Sequence, residues 1–503
     1  MIMDKQDQYL IGIDLGTSAV KLLLVDGSGR ILQTVTKEYP LSFPQSGWSE
    51  QRPEDWWNAV RTGIAQLTEQ VDRSRIRGIS CGGQMHGLVV LDVQDRVIRP
   101  AILWNDARTS EETEWLNTAV GKARLSELTA NIAFAGFTAP KLLWMKKHEP
   151  ELFSRIRKIM LPKDYINYQL TGVHATDCSD ASGMLLFDVK NRTWSQDMLR
   201  ICSVAENQMP HIFESYGVIG TLKPEVAEEL QLRSDVIVTA GAGDNAAAAV
   251  GTGVVGQGGC NISLGTSGTI FISSEYFSVD PGNALHAFAH ADGGYHLMGC
   301  MLSAASCNKW FCDEILNTKD YAAEQKDIHL EDLGRNRVFF LPYLMGERSP
   351  INDTDARACF IGMSMDTERS ELLQAVLEGV AFAIRDSFEV AKGLGITPDH
   401  SMICGGGAKS ALWRVILANV LNIRLDIPQT EEGPGYGAAM LAMVGCGIYP
   451  DVRSCADALV RVTDKVEPVP ELAARYEERY QKYRLIYPAL KDIFPRLQEG
   501  EVK

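Results

Sequence analysis

Several features that would assign this chain to a membrane, secreted or disordered class are missing from its sequence. No stretch of 18 consecutive apolar residues occurs, so no membrane-spanning helix is expected. Residues 1–10 include Asp4, Lys5 and Asp7 where a signal peptide would have an apolar core. The 45% apolar content excludes intrinsic disorder. We therefore expect a globular protein with a cytoplasmic location.

Cysteine pairs of the CxxC type are also absent. The 11 cysteines are scattered singly from Cys81 to Cys455, and their number is odd. This distribution argues against a disulfide framework and against a structural zinc site. We expect most of them to be small buried apolar residues in a reducing compartment.

Positive charge is scarce. The 49 Lys and Arg residues against 64 Asp and Glu give a formal net charge of −15, without a long block of one sign. An acidic average field repels polyanions, so DNA and RNA are not expected partners. A small anion can still bind where backbone N–H groups converge in a local nest.

The length and the alternation of patterns indicate a multidomain α/β protein. A chain of 503 residues is too long for one compact domain. Apolar segments typical of strands alternate with segments of helical periodicity. The pattern predicts strands at 9–13, 20–25, 77–81 and 88–92, and helices starting at Pro53 and spanning about 371–392.

One short motif occurs twice. Residues 14–18, Asp-Leu-Gly-Thr-Ser, return about half the chain later as residues 263–267, Ser-Leu-Gly-Thr-Ser. Each copy lies between two short apolar segments, so duplication of a strand–turn–strand unit explains the match better than chance. The glycine-rich segment 251–259 then separates the halves, and we expect domains at 1–254 and 255–503.

Both turns are candidate phosphate sites. Glycine lets the backbone approach an anion closely, and N–H and hydroxyl groups supply donors. The alternative is an ordinary hairpin turn stabilised by Ser and Thr side chains. Only the first copy has a carboxylate, which suits a Mg²⁺ ion next to phosphates. The candidate nucleotide residues of the two turns are Asp14, which is also the candidate metal ligand, Thr17, Ser18, Gly265, Thr266 and Ser267.

Asp244 is the candidate general base. It follows the apolar segment 236–238 and the small residues 239–243, just before the expected hinge. An acid at such a strand end can accept a proton from an attacking hydroxyl group. The alternative role is the N-cap of a helix over 245–250, and one aspartate can have both roles.

A run of glycines provides a second candidate contact with a nucleotide. Gly405, Gly406, Gly407 and Ala408 lie between an apolar strand and a helical segment, where a flat ring can lie against bare backbone. For His86 the spacing alone favours a structural hydrogen bond over a function. For the polar residues around Trp104, the sequence pattern does not distinguish a structural role from a functional one.

Together these motifs resemble those of the FGGY carbohydrate kinases, which belong to the actin-like ATPase superfamily. The resemblance extends from about Gln8 to Tyr487. The segments that carry it are 11–18, 83–87, 103–108, 136–141, 161–165, 264–268, 340–343, 346–348 and 405–408.

The resemblance implies two ribonuclease-H-like domains on either side of a central cleft, the first binding a sugar and the second binding ATP. It implies that Asp244 is the catalytic base and that Asp14 lies near Mg²⁺ and the phosphates. A homodimer is common among such proteins. The candidate sugar contacts are Met85, His86, Trp104, Asp244 and Asn245.

The implied reaction is the ATP-dependent phosphorylation of D-xylulose. Ribulose, gluconate and glycerol are alternative acceptors, and a non-catalytic actin-like ATPase is a more distant alternative. Ala240 and Ala242 interrupt a run that is often all glycine in the family. This departure bears on the choice of sugar more than on the type of reaction.

Overall fold

The computed structural model describes residues 4–430 and 432–498. Its two largest β-sheets each contain seven strands within these residues, and helices cover both sheets. The expected α/β class and the two-part organisation are therefore confirmed. The first sheet, in spatial order, consists of Val218–Thr221, Ile237–Thr239, Ile76–Gly83, Tyr9–Leu15, Ala19–Asp26 and Ile31–Glu38, with Ala242–Gly243 also paired to Ile76–Gly83.

The second sheet repeats the central part of the first. Its strands, in spatial order, are His286–Ala289, Tyr295–Met301, Gly268–Ser274, Cys260–Leu264, His400–Cys404, Arg424–Pro428 and Val462–Val466. In both sheets an antiparallel hairpin carries the duplicated motif at its turn, and the first hairpin strand has a parallel neighbour on its other side. The sequence repeat thus corresponds to a repeated topology.

Short two-stranded sheets extend the core. They are Glu50–Gln51 with Ala101–Ile102, Val89–Leu91 with Lys158–Met160, Ala175–Asp177 with His211–Phe213, Phe187–Asp188 with Thr193–Trp194, and Phe339–Leu341 with Cys359–Ile361. The strand expected at 88–92 belongs to one of these small sheets, since Val89–Leu91 pairs with Lys158–Met160.

Helices fill the connections between strands. Those of the first half are Pro53–Leu67, Ser110–Trp115, Lys122–Thr129, Thr138–His148, Pro150–Ser154, Pro162–Thr171, Cys178–Ala181, Gln196–Cys202, Pro224–Leu230 and Asp244–Gly251. Those of the second half are Ala305–Trp310, Tyr321–Glu324, Arg369–Gly393, Ala411–Leu421, Gly433–Gly445, Val452–Leu459, Pro470–Tyr483, Ile486–Leu490 and Phe494–Gln498. Within the described residues, no helix is long and apolar enough to cross a membrane.

The helix Pro53–Leu67 shows how the sequence sets these elements. Proline fits the first helical turn because it lacks an N–H group that would be unpaired there. Glu54 and Asp55 follow at the positive end of the helix. The apolar side chains of Trp56, Val60, Ile64 and Leu67 recur at helical spacing, and all four are fully buried.

The helix Gly433–Gly445 returns the chain to the first sheet. It packs on Tyr9–Leu15 and crosses the helix Asp244–Gly251. The crossing brings backbone against backbone, since a Cβ atom at Gly437 would lie 1.8 Å from the carbonyl oxygen of Ala247. Helices that meet so closely need glycine at the contact. This contact joins the start of the mid-chain helix to a segment near the end of the chain.

Candidate active site

Asp14 lies on the first hairpin, close to the helix that returns to this sheet. It pairs across the hairpin with Lys21, whose ammonium group forms an ion pair with Glu432. Burial raises the pKa of Asp14 to about 6, while Lys21 lowers this pKa and Glu432 raises it. A Cβ atom at Gly435 would lie 3.6 Å from that of Asp14, so the positive end of the helix Gly433–Gly445 faces this carboxylate.

Asp244 is the first residue of its helix rather than the cap, because Gly243 occupies the N-cap position. Its Oδ1 accepts hydrogen bonds from the backbone N–H of Asn245 at 2.7 Å and from the Asn245 side chain at 2.9 Å. Burial raises the pKa of Asp244 to about 7, and the negative charge of Asp14 contributes to this rise. The structure therefore brings the two candidate carboxylates into electrostatic contact.

Met85 packs against the residue that precedes Asp244. A Cβ atom at Gly243 would lie 2.9 Å from the Met85 sulfur, so a side chain there would force Met85 to move. Met85 itself is buried, at 5% exposure. The sequence-predicted sugar residues Met85, Asp244 and Asn245 thus form one group at the end of the first sheet.

His86 has a fixed orientation and a neutral ring. Burial lowers its pKa to about 3, although the Gly183 carbonyl opposes this effect. Nδ1 of His86 lies 2.7 Å from the Gly183 oxygen, so Nδ1 carries the proton and Nε2 keeps an acceptor lone pair. The ring stacks on Phe137 with centroids 4.7 Å apart. A neutral, stacked imidazole is suited to binding a hydroxyl group.

The backbone of His86 is held in the left-handed region. Its φ is 67°, a value that costs a non-glycine residue conformational energy. The His86 carbonyl accepts hydrogen bonds from Lys141 at 2.9 Å and from Thr138 at 3.0 Å. Lys141 is fully buried, and burial lowers the pKa of its ammonium group to about 7. These two donors stabilise the strained turn that presents the imidazole.

Trp104 connects the sugar candidates to the first phosphate turn. Its indole N–H donates to the Thr17 hydroxyl at 3.0 Å, and this hydroxyl donates to Gln84 at 3.4 Å. The Trp104 side chain remains 45% exposed, so much of its surface is available for a ligand. Ser18 is exposed, and its carbonyl accepts the N–H of Tyr39.

The second half contains a cavity of about 910 Å³. Of the predicted nucleotide residues, Gly265, Thr266, Gly406 and Gly407 line this cavity. Additional lining residues include Asn308, Trp310, Tyr321, Gln325 and Trp413. Aromatic and aliphatic surface with a few polar groups is typical of a pocket for a purine base and its ribose.

The remaining nucleotide candidates of the second half, Gly405, Ala408 and Ser267, are next in sequence to residues of this cavity without lining it. Gly405 has a φ of 91°, and a Cβ atom there would lie 2.7 Å from the Leu264 carbonyl. Ala408 is 9% exposed and packs in the hydrophobic core. Ser267 occupies the last position of the second turn and is exposed. Their roles in nucleotide binding stay predictions.

Comparison with known proteins identifies the family. A model of the N-terminal domain of the FGGY family of carbohydrate kinases matches residues 9–251, and a model of the C-terminal domain matches residues 260–446. The chain belongs to the FGGY family of carbohydrate kinases. The family assignment made from the motifs is confirmed, and this FGGY kinase is an enzyme.

Individual relatives match over almost the full length. The xylulose kinase of Escherichia coli (strain K12) is 41% identical over 484 residues, which cover 95% of this chain and 99% of the relative. A crystal structure of a xyloylose kinase from Brucella ovis superimposes with a TM-score of 0.92 at 39% identity, covering 97% and 100% of the two chains. A gluconate kinase from Lactobacillus acidophilus gives a TM-score of 0.91 at 28% identity, covering 97% and 99%.

Asp14 is the one predicted metal ligand of this FGGY kinase, and its carboxylate fits the chemistry of a Mg²⁺ ion. Within the described residues, no group of three or more His, Cys, Asp or Glu side chains could hold a metal. Asp14 offers one carboxylate, and Mg²⁺ commonly takes one or two carboxylates together with phosphate oxygens and water.

Sequence reasoning gave no role to several charged residues around the site. Lys141, Lys163 and Arg348 all lie in segments that carry the family resemblance. Lys163 belongs to a buried ionic cluster, and Arg348 lies over the Phe134 ring, 5.5 Å from its centroid. Their presence in the motifs that carry the family resemblance indicated that these residues have a role in the site. Lys141 contacts the distant His86 and Arg348 the distant Phe134, so the sequence alone did not show these contacts.

Proposed function

We propose that this FGGY kinase transfers the γ-phosphoryl group of ATP to the C5 hydroxyl of D-xylulose. The observation that carries the proposal is the position of Asp244, which has a pKa of about 7 next to Asp14 and Met85. A general base is most effective when its pKa lies near the working pH. The choice of xylulose follows the relatives of that name, whereas gluconate is the acceptor named for another similar structure.

Asp244 accepts the proton of the attacking hydroxyl group. Both hydrogen bonds from Asn245 go to Oδ1, and no described residue donates to Oδ2. Oδ2 is therefore the oxygen that faces the substrate hydroxyl. A bond forms between the C5 oxygen and the γ-phosphorus while the bond to the β–γ bridging oxygen of ATP breaks, and ADP leaves.

Other residues of the first half orient the sugar. The neutral His86 ring offers Nε2 as an acceptor, and the exposed part of Trp104 provides an apolar surface for the sugar carbons. Asn245 holds Asp244 at the angle set by its helix. Fixed groups of this kind lower the barrier because the substrate loses its freedom on binding rather than during the reaction.

The nucleotide binds against the second half. Its base and ribose occupy the cavity lined by Trp310 and Gly406, and the turn at Gly265 and Thr266 donates to the phosphates. Asp14 and the turn at Thr17 approach the phosphates from the first half. Mg²⁺ bound with ATP offsets negative charge on the phosphates. We accordingly propose that residues 1–254 bind the sugar and residues 255–503 bind the nucleotide.

A sugar panel tests the proposed function. ADP release is measured with xylulose, ribulose, gluconate and glycerol at saturating ATP, and we expect the highest kcat/KM for xylulose. A higher kcat/KM for gluconate would reassign the substrate but leave the reaction type intact. Asp244→Ala should lower kcat by about 10²–10⁴-fold. Asp235→Ala, which changes an exposed aspartate of the same half, serves as the control and should leave kcat unchanged.

Two properties are proposed on the family resemblance alone. We propose that the protein acts in the cytoplasm and that it forms a homodimer. Sedimentation velocity of the full chain distinguishes a dimer from a monomer, and fractionation of the native cells tests the location.

A further inference from the structure

A buried ionic cluster lies next to the sugar candidates and has no part in the proposed chemistry. Nζ of Lys163 lies 2.7 Å from Asp164, 2.9 Å from Asp177 and 3.5 Å from Asp180. The four side chains are at most 1% exposed. Burying three carboxylates with one ammonium group is costly, so such a cluster is weak evidence for stability alone.

The cluster adjoins the strand that leads to Met85. A Cβ atom at Gly83 would lie 2.8 Å from the Cβ of Lys163, so the lysine lies directly on the end of Ile76–Gly83. Among the described residues, neither oxygen of Asp180 accepts a hydrogen bond, and only the ion pair with Lys163 at 3.5 Å offsets its charge. Burial raises the pKa of Asp180 well above its usual range. The charge of Asp244 also acts on Asp180, which places the cluster close to the catalytic candidate.

A chain of hydrogen bonds leads from this cluster to the backbone at Gly243. Lys163 binds Oδ1 of Asp177, whose Oδ2 accepts the hydroxyl groups of Ser179 at 2.5 Å and of Ser215 at 2.7 Å. The Ser179 oxygen in turn accepts the backbone N–H of Gly243 at 3.1 Å. A serine hydroxyl has one proton, and here it points to Asp177, so the lone pairs of Ser179 face Gly243.

Gly243 determines where Asp244 begins its helix. It is the N-cap of Asp244–Gly251, it pairs with Gly83 in the first sheet, and it packs directly against the Met85 side chain. The hydrogen bond that the Gly243 N–H donates to the Ser179 hydroxyl oxygen fixes the orientation of this backbone group. A shift of Gly243 would move the next residue, Asp244, by a similar amount.

We propose that Ser179 is a positioning residue, which holds Gly243 so that Asp244 Oδ2 meets the substrate hydroxyl. Lys163 and Asp177 fix the orientation of the Ser179 hydroxyl through charge-assisted hydrogen bonds. This inference rests on the proposed function. It assigns the buried cluster a role in geometry, because the cluster orients the acceptor of the Gly243 N–H.

Ser179→Ala and Ser215→Ala form a matched pair of variants. Both serines are fully buried, and both donate to the same oxygen of Asp177. Only Ser179→Ala leaves the Gly243 N–H without its acceptor. The Ser215 backbone carbonyl, which accepts the N–H of Gly241, is unaffected by the substitution. The two variants therefore differ in the one bond that the proposal concerns.

We expect Ser179→Ala to lower kcat for the sugar at least about tenfold, because a small misplacement of a catalytic group is costly. The KM for ATP should stay within about twofold of the wild type, since the proposed nucleotide pocket is not involved. Ser215→Ala should keep kcat within about twofold and have a melting temperature similar to that of Ser179→Ala. Ser179→Cys, with a weak sulfur acceptor, should give a kcat as low as that of Ser179→Ala.

The possible failures are distinguishable. A wild-type protein without sugar-dependent ADP release would contradict the proposed function. Equal kcat values in Ser179→Ala and Ser215→Ala, or a wild-type kcat in Ser179→Ala, would overturn the positioning role. If Ser179→Ala does not fold, Ser179→Cys decides, and a wild-type kcat in that variant overturns the proposal in the same way.

Discussion

The carboxylate of Asp14 raises the pKa of Asp244, although one residue lies on the first strand and the other starts a helix in the middle of the chain. Burial makes the largest contribution, and together these effects bring the pKa of Asp244 to about 7. The pKa of Asp14 is also raised, to about 6. Near neutral pH, a modest change in the environment therefore changes the fraction of Asp244 that can act as a base.

The pH dependence of the reaction should follow Asp244. A general base must be deprotonated, so kcat/KM for the sugar should rise with pH and reach half of its plateau near pH 7. The measurement is initial rates of ADP release between pH 5 and 9, a range that brackets this value by about two units on either side. A flat profile across this range would exclude Asp244 as the base in the free enzyme.

Replacing Asp14 should shift that midpoint. Asp14→Asn removes a negative charge that raises the pKa of Asp244, so the midpoint of the residual activity should move to lower pH. The substitution should also lower kcat, because it removes the carboxylate expected near the phosphates. An unchanged midpoint would mean that the two carboxylates do not interact in solution.

Asp244→Asn should stabilise the protein at alkaline pH while it abolishes most of the activity. A carboxyl group with a raised pKa binds its proton more tightly in the folded state than in the unfolded state. The stability that this bound proton provides is therefore lost as pH rises from about 4 to 7. At pH 8 the unfolding free energy of the variant should therefore be about 1–2 kcal/mol higher than that of the wild type. This figure is smaller than the full pKa shift would give, because Asp244 is partly exposed to solvent. Near pH 4 the two proteins should be equally stable by urea denaturation.

Asp92→Asn is a control of opposite sign. Burial tends to raise the pKa of Asp92, but hydrogen bonds from Arg96 and Gln94 outweigh it and lower this pKa to about 2. The ionised carboxylate of Asp92 therefore stabilises the fold above pH 4, and Asp92→Asn should reduce the unfolding free energy at pH 8. Stabilisation by both substitutions at pH 8 would contradict the assigned directions.

Gly437→Ala should strongly destabilise the fold. Its Cβ atom would lie 1.8 Å from the Ala247 carbonyl oxygen, so the two helices would have to separate. We expect a loss of at least about 2 kcal/mol in urea denaturation. Gly393→Ala is the matched control within a helix, because among the described residues nothing outside its own helix lies within 4 Å of its Cβ position. Its stability should stay the same or rise by about 0.5–1 kcal/mol.

Gly406→Leu should block the nucleotide pocket. Gly406 lines the 910 Å³ cavity, and apart from its chain neighbours and its own helical backbone no described residue lies within 4 Å of its Cβ position. A leucine can therefore enter the cavity without disturbing the fold. The KM for ATP should rise at least about tenfold, whereas the KM for the sugar and the melting temperature should not change. Gly393→Leu, which does not line the cavity, should leave the KM for ATP at the wild-type value.

Much of the architecture around the site was predictable from local patterns. The strands expected at 9–13 and 20–25 are Tyr9–Leu15 and Ala19–Asp26, and the duplicated turn lies in equivalent hairpins of both sheets. The long helix expected at about 371–392 is Arg369–Gly393. The sequence predicts that this helix ends at about residue 392, before Gly393. In the structure Gly393 is the last helical residue, and the glycine with a positive φ is Gly395. A glycine terminates a helix only where its backbone adopts that conformation.

Other features depended on segments far apart in the chain. No sequence pattern predicted the contact between Gly437 and Ala247. None predicted the hydrogen bond between Gly243 and Ser179 either. The spacing around His86 predicts a structural residue, whereas the family resemblance predicts a sugar contact. In the structure its Nδ1 does make a structural bond, while Nε2 stays available as an acceptor.

The sequence by itself determined the α/β class, the repeated turn, the family and the identity of Asp14 and Asp244 as candidates, because these follow from residues that are neighbours in the chain. Its shortage of positive charge argued against a nucleic-acid partner. Only the tertiary structure decided the pKa of Asp244, the contact of two helices at Gly437 and the hydrogen bond between Ser179 and Gly243. Burial, charge–charge interaction and close backbone approach arise from groups that only folding brings together.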